Sequence, residues 1–382
     1  MKLSKDYNGL VVIIPTRNRS DLAMNAIQSV LQQPLENLHV IVSDNSTTEE
    51  HRISLAAFCK QVADSRLILM RPPKPLLMSE HWDWVMKQAL DQRNASHFIY
   101  LADRSIFKPG VLHDISELAR KDPDKVIAYD FVTIFDHRSP IMVAQQLQTG
   151  RVFEVSAAHL LSLCSRSIFP PCLPRMINCC VPRSVIQNMQ ERYGSVFASI
   201  SPDYNFCYRC LEMVDSILYY DCAAYVGYGL PRSNGVEFIG IKNEATIDFN
   251  ARVKESHRWR YYAAPIPAFK TIVNAHAHEY CLVKSETGNN KFPNIRRFTY
   301  IVRNAERPLA AFAFRSPVSL LSGLVSLRTR VQKILRFRSP AIADYERYRT
   351  FQSVSEAINY AVSVAPHTDS FAPHLSLLRV NK

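Results

Sequence analysis

Two apolar runs open the chain, Val11-Val12-Ile13-Ile14 and Val40-Ile41-Val42, and polar turn formers follow each at once. Pro15-Thr16-Arg17-Asn18-Arg19 closes the first run and Ser43-Asp44-Asn45-Ser46 the second. Between them Leu22, Ala26, Ile27, Val30 and Leu31 recur at helical spacing, which predicts a helix over 21–33 with Ser20 as N-cap. The same alternation continues. Strands are predicted over 10–15, 38–43, 66–70, 97–101 and 126–131, and helices over 21–33, 49–64, 79–92 and 109–121. Strands separated by helices of this length predict an α/β fold with a mostly parallel, doubly wound sheet and helices on both faces.

Beyond residue 135 the pattern is mixed, with short helices predicted over 159–164 and 183–193 and a proline-rich loop over 168–174. From about residue 250 it reads as mainly helical, ending in a polar tail. The expected organisation is one domain over 1–245, in two parts at 10–135 and 136–245. A mainly helical C-terminal region would fill 246–382.

In open parallel sheets, ligands bind at the carboxyl ends of strands. Here those ends carry polar groups, but no glycine lies between Gly9 and Gly110. Neither a G-x-G-x-x-G turn nor a Walker A loop can form, so a nucleotide would be held by side chains such as Asp44.

These residues resemble a known family. Apolar-apolar-Pro-Thr-x-Asn-Arg, a helix, then Val42-Ser43-Asp44-Asn45-Ser46 is similar to the opening of family 2 glycosyltransferases, which have the Rossmann-like GT-A fold. Met78-Ser79-Glu80-His81-Trp82 resembles that family's segment ending in Asn-Trp. Phe98 to Leu112 resembles its acidic strand end followed by Pro-Gly, and Ser201-Pro202-Asp203-Tyr204 its acceptor-side motif. The four segments occur in family order over residues 10 to 240, and the resemblance implies a catalytic domain over 1–245 with a nucleotide-binding half at 10–135 and an acceptor half at 136–245.

The resemblance implies roles for individual residues. Asp44 would accept a hydrogen bond from the base of a nucleotide sugar, uridine first, a role the surrounding pattern favours over a plain Asp-Asn-Ser turn capping the next helix. Pro15, through its carbonyl, and Arg17, packed on the base, would flank that pocket; Arg17 can also be read as a surface residue. Asp103 would touch the ribose. The next position, a ligand for Mn²⁺ or Mg²⁺ in the family, is Arg104 here, and a guanidinium offers no oxygen. Asp103 and Ser105 alone would make a poor metal site. Either Arg104 itself neutralises the departing diphosphate, so that no metal is required, or the site has decayed and the domain binds without turnover.

Asp203, at the start of a helix, would be the base that deprotonates the acceptor hydroxyl, with helix capping as the plainer reading. His81 and Trp82 could contact donor or acceptor, but a packing histidine suits His81 as well. Arg232 and Asn234 resemble the end of the catalytic domain, where a mobile loop folds over the donor.

Composition narrows the classes. The 382 residues are 47% hydrophobic and 21% charged, as in an ordinary globular protein. No run of eighteen apolar residues and no signal-peptide core is present, so a cytoplasmic protein is expected. The nine cysteines lack metal-ligand spacing; Cys207-x-x-Cys210 falls in a predicted helix, and buried free thiols are the simpler reading. The net charge of +12 is concentrated between Arg296 and Arg338, where ten basic residues face one acid, Glu306. Leucines and valines interleave with them, as in a helix that lies on the inner, anionic face of a membrane; a solvated helix on its own domain is the alternative. No nucleic-acid recognition motif accompanies the charge.

The resemblance thus implies an inverting glycosyltransferase of polysaccharide biosynthesis. It would move a sugar from a nucleotide-sugar donor, a UDP-sugar first, to a glycan or lipid-linked acceptor. The rival readings are a non-catalytic nucleotide-sugar or glycan binder and a membrane-surface scaffold.

Overall fold

The structure, a computed structural model, describes residues 8–92, 94–145, 148–233, 261–269, 271–288, 290–305, 347–366 and 374–378. Its first strands are β1 (Leu10–Thr16), β2 (Leu38–Asp44), β3 (Leu67–Met70) and β4 (His97–Tyr100). β1 lies between β2 and β4, parallel to both, and β3 extends the sheet parallel to β2. Val11 and Ile13 of β1 face one apolar core, while Leu10, Val12 and Ile14 face another. A strand buried on both faces needs a continuous apolar run rather than alternation, and each such side chain contributes about 1.5–3 kcal/mol when fully buried.

Helices α1 (Ser20–Leu31), α2 (Glu49–Val62) and α4 (Val111–Lys121) cover one face. Helices α3 (Met78–Gln92), α5 (Ala157–Ser165), α6 (Arg183–Tyr193) and α7 (Pro202–Met213) cover the other. Most predicted boundaries hold within two residues. Ser20, however, is not the cap of α1. Arg19 occupies that position with no side-chain cap, and Ser20 Oγ is drawn instead to His51 Nδ1 of α2, 2.9 Å away.

The later strands extend the sheet in mixed orientation. They are β5 (Ser105–Phe107), β6 (Ile127–Phe135), β7 (Ile141–Gln145), β8 (Val152–Ser156), β9 (Cys179–Pro182) and β10 (Ser216–Gly227). β9 runs antiparallel between β4 and the start of β6, while β10 runs parallel to β6 and antiparallel to β5 and β8. The C-terminal region contributes helices Ile272–Thr287, Arg297–Ala305, Val354–Ser363 and His374–Leu378. It also adds an edge strand, β11 (Arg347–Phe351), antiparallel to β7, which the helical reading of this region did not contain. Cys207 and Cys210 are buried free thiols on α7 whose burial raises both above the ordinary thiol range, so neither is a ready thiolate. No described helix is long and apolar enough to cross a membrane.

Candidate functional site

Because β1 is paired in parallel on both sides, the carboxyl ends of β1, β2 and β4 open at one edge of the sheet. Register sets Pro15 opposite Ser43 and Thr16 opposite Asp44. Asp44 is completely buried there. Its Oδ1 accepts from Ser46 N at 2.9 Å, and its Oδ2 lies 2.7 Å from Arg71 Nη2. Arg71 escaped the sequence reading, although a polar residue just past β3 was its signal. The loop after Arg71 is tied down by Asn45, which exchanges two hydrogen bonds with the Leu76 backbone, and by Arg17 Nη1, which donates to Leu76 O at 3.1 Å.

His81 lies beneath this rim, its Nε2 2.7 Å from Ser43 Oγ. Burial, with Arg17 adding and Asp44 opposing, pushes the imidazole down to about 3, so it is neutral near pH 7. Trp82 points into the core, 5.3 Å from the Tyr100 ring and 5.4 Å from Phe197.

Asp103 follows β4 and reaches back to β1. Its Oδ2 accepts from Thr16 Oγ1 at 2.8 Å and forms an ion pair with Arg19 Nε, also at 2.8 Å. Arg19 in turn donates to the carbonyl of Arg232, whose guanidinium pairs with Asp21 at 2.6 Å. Arg232 thus sits at this edge, while Asn234 lies outside the described residues. Arg104 Nη1 donates to Tyr228 O at 3.3 Å. Burial lowers its guanidinium, with Arg19 adding and Asp103, Tyr225 and Asp136 opposing. A hard divalent cation does not fit this donor set. Arg19 and Arg104 flank the Asp103 carboxylate, and Ser105 is buried within β5, paired with Gly227.

Asp203 stands in the first turn of α7, after Pro202. Burial raises its carboxyl above the ordinary range and the nearby Arg175 opposes, which makes it a stronger proton acceptor than a solvated aspartate. Arg175 donates from Nη1 to Tyr204 OH at 3.4 Å and lies over the Phe131 and Tyr204 rings. Burial works against its charge, but Tyr204, Tyr225 and Asp203 outweigh it and hold the guanidinium above its ordinary value. The Tyr225 phenol lies within electrostatic reach of Arg104, Arg175 and Asp203, linking the strand-end cluster to the start of α7. The edge therefore gathers Pro15, Arg17, Asp44, His81, Asp103, Arg104 and Arg232. No sequence signal marked Arg175.

Residues 11–171 match the glycosyl transferase family 2 profile. No curated protein sequence matches the chain significantly. Among solved structures, S. aureus TarS 1–349 in complex with UDP-GlcNAc is similar at 12% identity over 90% of this chain and 97% of that one, with a TM-score of 0.44. A Pyrobaculum calidifontis mannosyltransferase, PcManGT, in complex with GDP-Man and Mn²⁺ is 13% identical over 87% of this chain and 83% of that one, with a TM-score of 0.44. A longer S. aureus TarS chain is 13% identical over 85% of this chain, TM-score 0.40, and this chain spans 53% of its length. The strand-turn-helix opening and the acidic end of β4 fall inside the matched residues, and the match ends within the proline-rich loop after α5. The similarity to glycosyl transferase family 2 is carried by residues 11–171, less than half of the chain.

Proposed function

We propose that the protein transfers a sugar, with inversion at the anomeric carbon, from a nucleotide-sugar donor to a glycan or lipid-linked acceptor. A UDP-sugar is the first donor to test. The observation that carries the reading is the placement of Asp44 and Asp103 at or just past the carboxyl ends of β2 and β4, the two parallel strands that flank β1, with Asp203 and Arg104 both within electrostatic reach of Tyr225. Asp44 would accept from the base and Asp103 from the ribose. The Asp203 carboxylate takes the proton of the acceptor hydroxyl as its oxygen bonds to the anomeric carbon. The bond from that carbon to the diphosphate breaks, and the nucleoside diphosphate leaves with the electron pair. Arg104, where the family has a metal ligand, would meet the charge developing on that leaving group.

Two relatives in the comparison carry GDP-Man and UDP-GlcNAc in their solved structures, which supports testing both donor types. The experiment is a screen of nucleotide sugars for release of the nucleoside diphosphate, with and without EDTA. Release that continues in EDTA is the expected result. Binding of nucleotide sugars without release or transfer identifies a non-catalytic relative, and no ligand effect on thermal stability identifies a scaffold.

A further inference from the structure

We propose that Glu279, on the C-terminal helix Ile272–Thr287, is the positioning residue for Asp203, locking the turn that presents this carboxylate to the acceptor. The inference rests on Asp203 being the base and adds the element that fixes it in place.

Glu279 is completely buried in a helix that packs on α7. Its Oε1 accepts from Ser199 Oγ and from Ser201 N, each at 2.9 Å, and its Oε2 accepts from Asn205 Nδ2 at 3.1 Å. The three donors bracket Asp203 in the chain, two before it and one after. Ser201 is the N-cap residue of α7, and its own hydroxyl makes no capping bond. The Glu279 carboxyl group from a distant helix thus satisfies an amide at the entry to α7, where unpaired N–H groups gather. Ser199 holds a φ of 64°, a left-handed conformation that costs a serine energy and persists only where the surroundings impose it. The Glu279–Ser199 bond is such a constraint.

A carboxyl group in a packed interior is costly unless hydrogen bonds compensate it, and it is cheaper there protonated than charged. Burial, with Asp203 adding, raises the Glu279 carboxyl to about 8, against the three hydrogen bonds that lower it. His278 Nε2, 4.0 Å away, and Tyr262 are its other ionisable neighbours. A leucine would pack at this site without that cost, but it would leave the Ser201 amide and the Asn205 side chain unpaired. The amide of Asn205 also offers a control. Its Oδ1 has no hydrogen-bond partner among the described residues. A glutamine at 279 can therefore keep all three contacts: its oxygen accepts from Ser199 and Ser201, and its NH₂ donates to Oδ1 once the Asn205 amide rotates.

The test compares full-length Glu279→Ala, Glu279→Gln and Asp203→Asn with the wild type. Two quantities are read: hydrogen exchange over 199–206, and nucleoside diphosphate release from UDP-N-acetylglucosamine and, separately, GDP-mannose. Glu279→Ala should speed exchange of that segment at least about tenfold while the rest of the sheet stays protected. It should lower kcat at least about tenfold with the donor KM within about twofold, since only the acceptor side is displaced. Glu279→Gln should restore both. Unchanged exchange over 199–206 in Glu279→Ala overturns the proposal. So does wild-type kcat in Glu279→Ala alongside an inactive Asp203→Asn, or a general loss of protection that glutamine fails to rescue. If Asp203→Asn turns over normally, the base assignment itself is wrong, and the positioning role falls with it.

Discussion

Asp44 is fully buried at the end of β2, yet its Oδ2 is held 2.7 Å from Nη2 of Arg71, whose side chain is 42% exposed. A carboxylate taken out of water is tolerable only when paired. Here the cation stands on the solvent side, so the pair is screened from one side only.

Asp44→Ala is expected to weaken UDP binding by about 1–3 kcal/mol, the scale of a lost charge-assisted hydrogen bond. Isothermal calorimetry on the folded variant measures it. An unchanged affinity assigns the base to other residues.

Catalysis should not depend on a divalent metal. Turnover in EDTA should match that in buffer, and Arg104→Ala should lower it by roughly 10²–10³, the scale of removing one group that stabilises developing charge. Silencing by EDTA with rescue by Mn²⁺ would refute this.

Asp203→Asn should reduce turnover by roughly 10²–10⁴, the usual contribution of a positioned acid or base, and leave donor binding intact. Steady-state kinetics paired with calorimetry separates the two effects. A variant that transfers sugar at the wild-type rate shifts the role elsewhere.

His81 should make the fold acid-sensitive. Its folded pKa of about 3 lies below the ordinary 6.5, so the unfolded chain binds the extra proton between those values. Its stabilisation is therefore present above pH 6.5 and is lost as the pH falls toward 3. Between pH 7 and 5 this one side chain should cost about 2 kcal/mol. Urea denaturation of His81→Asn, which can keep a bond to Ser43, should show a correspondingly smaller loss. Identical pH dependence in wild type and variant contradicts it.

The basic segment between Arg296 and Arg338 is proposed to bind anionic membrane. Of it the structure describes 296–305, where Arg296 and Arg297 are exposed and Phe298 is 68% exposed beside them. An aromatic ring among arginines suits an anionic lipid surface, at about 1 kcal/mol for each basic residue that reaches it. Co-sedimentation should appear with phosphatidylglycerol vesicles, fade at about 0.5 M salt and be absent with neutral lipid. No binding to anionic vesicles at low salt leaves the segment as a basic surface alone.

The strands and helices of the first half were legible because their signals are local. A run such as Val11 to Ile14 is buried on both faces and reads as a strand wherever it occurs, and α1 shows its buried stripe at Leu22, Ala26, Ile27 and Val30. The placement of Asp44 and Asp103 at one edge followed from the same periodicity, since each acid comes at or just beyond the end of a parallel strand. The antiparallel entry of β9 between β4 and β6 was not legible, nor was the pairing of β11 with β7, because register between distant segments is a matter of which edges meet. The electrostatic partners were hidden for the same reason. Arg71 meets Asp44, Arg19 meets Asp103 and Glu279 meets Ser201 only after the chain has closed on itself. A charge carries no local mark of its partner. Burial supplies the selectivity, by making an unpaired ion costly and so requiring a partner from whichever segment packs beside it.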